Sequence, residues 1–394
     1  MKILISVFTY WPDRNGVQNV TQYQAEGLAA RGHEVTVLRG VRSWSESRRE
    51  PVLRDCGEHN GVHIVEFPGF TDFMVHFGNK KAYQAILREW AERVDVIMAV
   101  CPQSWCADWL TPIVWTLPCA CTLMVHGIHD TRWSTFHDHS LYGLARKIEG
   151  DLRWPPHFRQ QWPNYRAYAA IMQLHEQDRA YLYFQEHGVT RQHVLYNAVD
   201  DRIFVPSKKK KQVLNIGTFA FQKRQMLCLD AFYQSKLKDW SLMLIGSPDS
   251  AYYHQVCRHH EELERRYGHR DVQILCQISR DETIEHIRES SIYLLTSITE
   301  MFPVSLIEGM ASGCAFVSTD VGIDRYLPGG VIGNDVTELA HGLDLLADDT
   351  VREQYAQAGQ AFASKNCRRS TAVQHLEQIL QDAVAAWREG KCNG

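Results

Sequence analysis

Two carboxylates, Glu300 and Glu308, bracket a seven-residue segment that reads Met-Phe-Pro-Val-Ser-Leu-Ile. The apolar run 291–297 before them has the pattern of a buried strand. It leads into a turn holding Glu300. Phe302-Pro303 then predicts the start of a helix that carries Glu308 and is ended by Gly313. Proline suits the first helical turn, because its missing N–H would have no partner there. The N–H groups of Val304 and Ser305 are then expected to face the crevice at the strand ends, where open α/β sheets bind ligands. A helix start in that place attracts phosphate. Carboxylates close to a diphosphate repel it, so these two are expected to accept hydrogen bonds from sugar hydroxyls. Glu308, about one turn into the helix, suits a ribose, and Glu300 suits a transferred sugar. An ordinary core helix flanked by surface acids is the competing reading.

Short buried strands alternating with helices must position these groups. Strands are read at 3–9, 34–38, 94–100, 119–126, 169–175 and 193–199, with a helix from Val17 to about Arg31 after the loop that contains Gly16. The alternation restarts after residue 205, with strands at 212–218, 240–246, 272–278, 291–297 and 314–320. Two similar α/β lobes follow from that restart, not one long sheet. The boundary is placed near 206–212, where Lys208–Lys211 is read as a solvated linker between lobes. A last amphipathic helix covers 371–387.

The chain has 394 residues, enough for two domains. Apolar residues make up 45% and charged residues 22%, which excludes a disordered chain. A formal net charge of −4 argues against a polyanion as the main partner, and no nucleic acid is predicted. The eleven cysteines contain no Cys-x-x-Cys pair, so a zinc ribbon and a thioredoxin-type site are both disfavoured and reduced thiols are expected. No secretory signal and no membrane-spanning apolar run is recognised. A cytoplasmic location is expected, with peripheral contact at the inner face of a membrane left open.

The 291–322 segment resembles the retaining glycosyltransferases of the GT-B fold, family-four type. Their hallmark is two glutamates separated by seven residues, then small residues and a strand. Here these are Glu300, Glu308 and Gly-Met-Ala-Ser-Gly before Cys314. The resemblance implies two Rossmann-like doubly wound domains facing a central cleft. Residues 1–204, joined by a C-terminal helix within 371–394, would bind the acceptor. Residues 205–370 would bind the nucleotide sugar. The implied reaction moves a sugar from a nucleotide-diphosphate sugar, uridine favoured and guanosine open, to a hydroxyl of a glycan, glycolipid or other acceptor. No cofactor and no metal are implied, because helix N–H groups and basic side chains neutralise the diphosphate.

The resemblance extends over most of the chain. Residues 14–38 are similar to the family's first glycine loop and helix. Gly16 would let a phosphate or acceptor approach the backbone, and Asn15 stands where a first glycine is usual. Residues 194–204 resemble the interdomain segment, with Asn197, Val199, Asp200 and Phe204 matching and expected to be structural. Residues 216–232 are similar to the strand, loop and helix that grip the donor diphosphate. Within them Lys223 matches the family lysine. Thr218, after Gly217, stands in place of an arginine, and Arg224 replaces a glycine. His126 matches a histidine that faces the reacting sugar, and Ile278 a backbone contact to the base. The implied donor set is Gly16, Gly217, Thr218, Lys223, Arg224, Ile278, Phe302, Pro303, Val304, Ser305 and Glu308. The catalytic set is Glu300, His126 and Lys223.

Residues 129–166 are unlike the family. Their four histidines and three tryptophans suggest a polar loop or lid, with the tryptophans stacking on a sugar or resting on lipid. His137-Asp138-His139 makes a poor metal site. Two other functions remain open: a non-hydrolysing nucleotide-sugar epimerase, and a non-catalytic nucleotide-sugar-binding homologue, to which Thr218 is the best pointer.

Overall fold

The computed structural model describes residues 1–13, 15–72, 75–133 and 140–390. The chain divides into two compact units. One comprises Met1–Tyr196 with Ala372–Gly394, and the other is Asn197–Thr371. The division falls before Asn197, earlier than the expected boundary after Phe204. The lysine run is therefore part of the second unit and not a linker between units. Lys210 pairs with Glu289 at 2.5 Å, Lys211 pairs with Asp239, and Lys209 Nζ donates to Ser312 Oγ at 3.3 Å.

The first unit is built on an eight-stranded sheet. Its order is Gln192–Val194, Ala170–Gln173, Ala120–Met124, Val96–Val100, Lys2–Val7, Glu34–Arg39, Val62–Glu66 and Arg54–His59. Every neighbouring pair is parallel except the last, which is antiparallel. Val96–Val100 and Ala120–Met124 are buried at every position, which is why they read as unbroken apolar runs. Helix Gly16–Ala30 starts where the Asn15 side chain accepts the N–H of Gln18 at 2.8 Å, and the chain turns away at Gly32, whose φ is +87°. The last helix, Arg369–Arg388, packs against it. A Cβ on Gly27 would lie 2.5 Å from Val373, so only glycine lets these two helices approach so closely. Glu377 joins them, accepting from Arg31 and His33.

Two expectations fail in this unit. Residues 193–199 supply only the short strand Gln192–Val194, because the chain leaves the sheet before Asn197. Most of the segment read as a loop or lid is the helix Leu141–Arg166, capped by Ser140 and containing Pro155, Pro156 and Pro163. The three prolines hid it from sequence reasoning, since each removes a helix hydrogen bond. Burial compensates. Trp154, Phe158, Trp162 and Tyr165 enter the core beside Phe184. Trp154 and Trp162 are thus core residues and do not offer a stacking surface to a sugar or lipid. His137-Asp138-His139 lies outside the described residues.

The second unit has a six-stranded, wholly parallel sheet. Its order is Asp271–Cys276, Ser241–Gly246, Gln212–Ile216, Ile292–Leu295, Ala315–Ser318 and Gly330–Ile332. Numbered along the chain this is 3-2-1-4-5-6, the order of a Rossmann sheet, and the first and fourth strands lie side by side where the order reverses. The ligand-binding crevice of such a sheet lies at that reversal, at the carboxyl ends of Gln212–Ile216 and Ile292–Leu295.

Candidate active site

The strand ends at the reversal carry the residues singled out by the sequence. After Ile292–Leu295 the chain runs through Thr296 and Ser297 to Glu300. After Gln212–Ile216 it runs through Gly217 and Thr218 into a short turn at Phe221–Lys223, then into helix Gln225–Gln234. Hydrogen bonds fasten the two loops together. Ile298 N donates to Gln222 O at 2.7 Å, and the Thr296 hydroxyl lies 3.0 Å from the carbonyls of both Lys223 and Arg224. This lacing brings Lys223 Nζ to 2.5 Å from Glu300 Oε1, and Ser297 Oγ donates to the same oxygen at 2.7 Å.

Arg224 has φ +50°, the left-handed conformation that costs a residue with a Cβ. Glycine, usual here in the resembling family, would adopt it without that cost. Thr218 is exposed, and its carbonyl accepts from Gln225 Nε2 at 2.9 Å. A Cβ on Gly217 would make only ordinary contact with Lys223. Ile278 is half-buried and follows Gln277, whose φ is +58°.

The helix of the hallmark segment is Val304–Ala311, so it begins one residue later than expected. Pro303 is not in the first turn. It is the extended residue capping the helix, with ψ 105°, and its carbonyl accepts the first helical hydrogen bond, from Ile307 at 3.2 Å. Phe302 is buried, and its carbonyl accepts from Asn197 Nδ2 at 3.3 Å. Val304 and Ser305 are half-buried in the first turn. The Tyr293 hydroxyl lies below, accepting from Ile216 N at 3.2 Å and donating to its carbonyl at 3.1 Å. Burial, first among its causes, raises the Tyr293 phenol above its ordinary range. A Cβ on Gly309 would sit 2.9 Å from the Tyr293 ring, so the small residue after Glu308 lets the helix settle on its strand.

Glu308 is buried and forms a two-pronged ion pair with Arg280, the first residue of helix Arg280–Glu289. Nothing in the sequence around Arg280 marks it as the partner of Glu308. The Ser279-x-x-Glu282 capping box, present in the structure, is the signal that fixes that helix start. Ser297, Gly322 and Asp324 were also missed. Gly322 has φ +54°, and a Cβ there would lie 2.5 Å from Met301 O and 2.7 Å from Glu300 O. Asp324 is wholly buried beside this turn and accepts from Ser318 Oγ at 2.6 Å. Burial, reinforced by the charges of Glu300 and Asp320, holds its carboxyl well above the usual range. No sequence pattern marks these three, because their roles depend on contacts between separate loops.

The first unit holds the two remaining predicted residues. Gly16 is the first residue of its helix, and a Cβ there would meet open space. His126 stands two residues beyond the strand Ala120–Met124. Its Nε2 is buried without a hydrogen-bond partner among the described residues, and burial pushes the imidazole down to about 4.

Two Rossmann-like domains, with a Glu-x7-Glu helix start and a lysine loop in the second, define a GT-B-fold glycosyltransferase. The family described as glycosyl transferases group 1 matches residues 198–362, and glycosyltransferase family 4 matches residues 14–202. Between them the two matches span residues 14–362, and they identify the chain as a glycosyltransferase. It is 24% identical over 218 residues to N-acetyl-alpha-D-glucosaminyl L-malate synthase of Bacillus anthracis, covering 50% of this chain and 55% of that one. The chain spans about half the length of the curated relatives it matches. Among solved structures, sucrose-phosphate synthase from Thermosynechococcus elongatus aligns over 98% of this chain and all of its own, with a TM-score of 0.67 and 15% identity. Anabaena HepE in complex with UDP aligns over 97% of this chain and 100% of its own, with a TM-score of 0.65 and 15% identity. These two likenesses establish the fold.

Proposed function

We propose that the chain transfers a sugar, with retention of anomeric configuration, from a nucleoside diphosphate sugar to a hydroxyl of a glycan, glycolipid or other acceptor. The observation that carries this reading is the Lys223–Glu300 pair beside the start of helix Val304–Ala311. A cation and a row of helix N–H groups suit a diphosphate. A carboxylate at their edge suits the hydroxyls of the attached sugar. Arg224, adjacent to Lys223, is the candidate second cation where Thr218 supplies none. Glu308 is assigned to the ribose, with Arg280 holding its carboxylate in place. Gly217 and Ile278 are assigned to backbone contacts with the donor. Uridine is favoured, and the likeness to a structure solved with UDP supports that choice.

In the proposed step the bond from the anomeric carbon to the leaving phosphate oxygen breaks. A bond from that carbon to the acceptor oxygen forms on the same face. The acceptor proton passes to the leaving phosphate, so no enzyme nucleophile is required. The protein contributes positioning and charge stabilisation. His126, neutral near pH 7, is assigned to a hydrogen bond with the transferred sugar, and Gly16 to close approach of the acceptor.

A thermal-shift series with UDP, GDP and their sugars tests the donor assignment, because a ligand bound by the folded state alone raises its melting temperature. UDP and UDP-sugars are expected to raise it and GDP to have little effect. NMR of the product anomer then tests retention. A series in which no nucleotide shifts the melting temperature would remove the donor site.

A further inference from the structure

The helix Leu141–Arg166 buries one side and leaves the other uncovered. Gly143, Gly150, Trp154, Phe158 and Trp162 face the core. Leu141 is 88% exposed, Tyr142 68%, Ile148 44% and Leu152 73%. With Ala145 and Pro156, also exposed, Leu141, Ile148 and Leu152 recur at helical spacing and form one apolar stripe roughly 22 Å long. Large apolar side chains in solvent are ordinary when scattered, but a contiguous stripe marks a contact surface.

The charges around the stripe identify its partner. Arg146, Arg153 and Arg159 lie along this side of the helix, and Glu149 is the one acid among them. Asp151, towards the buried side, is held by Lys147 at 2.6 Å. Arg153 and Arg159 have no carboxylate within ion-pair distance among the described residues. The chain as a whole carries −4, so this basic surface is a local reversal of the overall sign. Apolar side chains flanked by arginines suit the boundary of an anionic bilayer. There the stripe enters the acyl region, while the guanidinium groups reach the headgroup phosphates.

We propose that the exposed face of Leu141–Arg166 docks the protein on an anionic lipid surface. The docking does not depend on the donor chemistry above, since none of these side chains belongs to the donor site. No helix among the described residues is long and apolar enough to cross a membrane, so the contact is with the surface.

Co-sedimentation of the full chain with vesicles of phosphatidylcholine alone, or with added phosphatidylglycerol, tests this directly. Binding is expected to the anionic vesicles only and to weaken as salt rises. Arg153→Gln with Arg159→Gln is expected to lower partitioning by about fivefold per charge removed. Ile148→Ser with Leu152→Ser is expected to lower it more than tenfold. An unchanged melting temperature confirms that each variant is folded, and thermal shift with nucleotide reads the donor site separately. Equal binding to both vesicle types, or full binding by the variants, would overturn the proposal. A concentration-dependent dimer that is lost in the Ile148/Leu152 variant, without vesicle binding, would overturn it too and assign the stripe to a second copy of the chain.

Discussion

Lys223 Nζ and Ser297 Oγ converge on a single oxygen of Glu300, at 2.5 and 2.7 Å. The three residues come from two loops whose backbones are hydrogen-bonded to each other. The carboxylate is thus held in place and charge-compensated before any donor arrives. Under the proposed function, Glu300→Gln keeps a hydrogen-bond acceptor but removes the charge, and is expected to lower kcat at least ~100-fold with the fold intact. Lys223→Ala is expected to cost a similar factor, with the larger part in donor KM. Steady-state kinetics and a melting curve check both. Full activity in Glu300→Gln would remove that residue from the site.

Gly322 supports the Glu300 turn from behind. A methyl group there meets Met301 O and Glu300 O, and its φ of +54° disfavours any side chain. Gly322→Ala is expected to destabilise the protein by about 1–3 kcal/mol. Displacement of Glu300 is expected to lower kcat more than ~10-fold at a temperature where the variant is still folded. Denaturant unfolding and kinetics on one preparation separate the two effects.

Arg280 and Glu308 form a half-exposed pair, with 43% of the arginine side chain and 7% of the carboxylate side chain accessible. Arg280→Ala leaves the carboxylate buried without its partner. A loss of about 1–3 kcal/mol is expected, below the cost of breaking a fully buried pair because solvent reaches the arginine. Glu308→Gln is expected to raise donor KM by about 10-fold and to leave kcat within a factor of about three, as befits ribose binding. An unchanged KM would separate Glu308 from the donor.

His126 gives the stability a pH dependence of definite sign. Burial pushes its imidazole to about 4, below the ordinary value of about 6.5. As pH falls, the unfolded chain therefore takes up the proton first. The contribution is fully present above about pH 6.5 and is lost as pH drops towards 4, by up to ~3 kcal/mol. Urea unfolding between pH 7.5 and pH 4 should show this slope in the wild type, reduced by that amount in His126→Asn. An equal slope in both would mean that His126 is already protonated in the folded protein at pH 6.

Much of this protein is determined locally and was therefore legible. Parallel strands buried on both faces leave unbroken apolar runs, such as Val96–Val100. Helix starts leave capping residues such as Asn15, and the Glu300–Glu308 segment keeps its spacing because strand, turn and helix are consecutive. The helix Leu141–Arg166 was missed because its prolines oppose it locally, while the core packing of Trp154, Phe158 and Trp162 outweighs them. The lysine run was misplaced because a charge cluster reads alike in a linker and on a domain surface. The pairing of Lys223 with Glu300, of Arg280 with Glu308, and the support of Glu300 by Gly322 were decided only in three dimensions. Each joins segments separated along the chain, and the order of strands in the second sheet is what makes them neighbours.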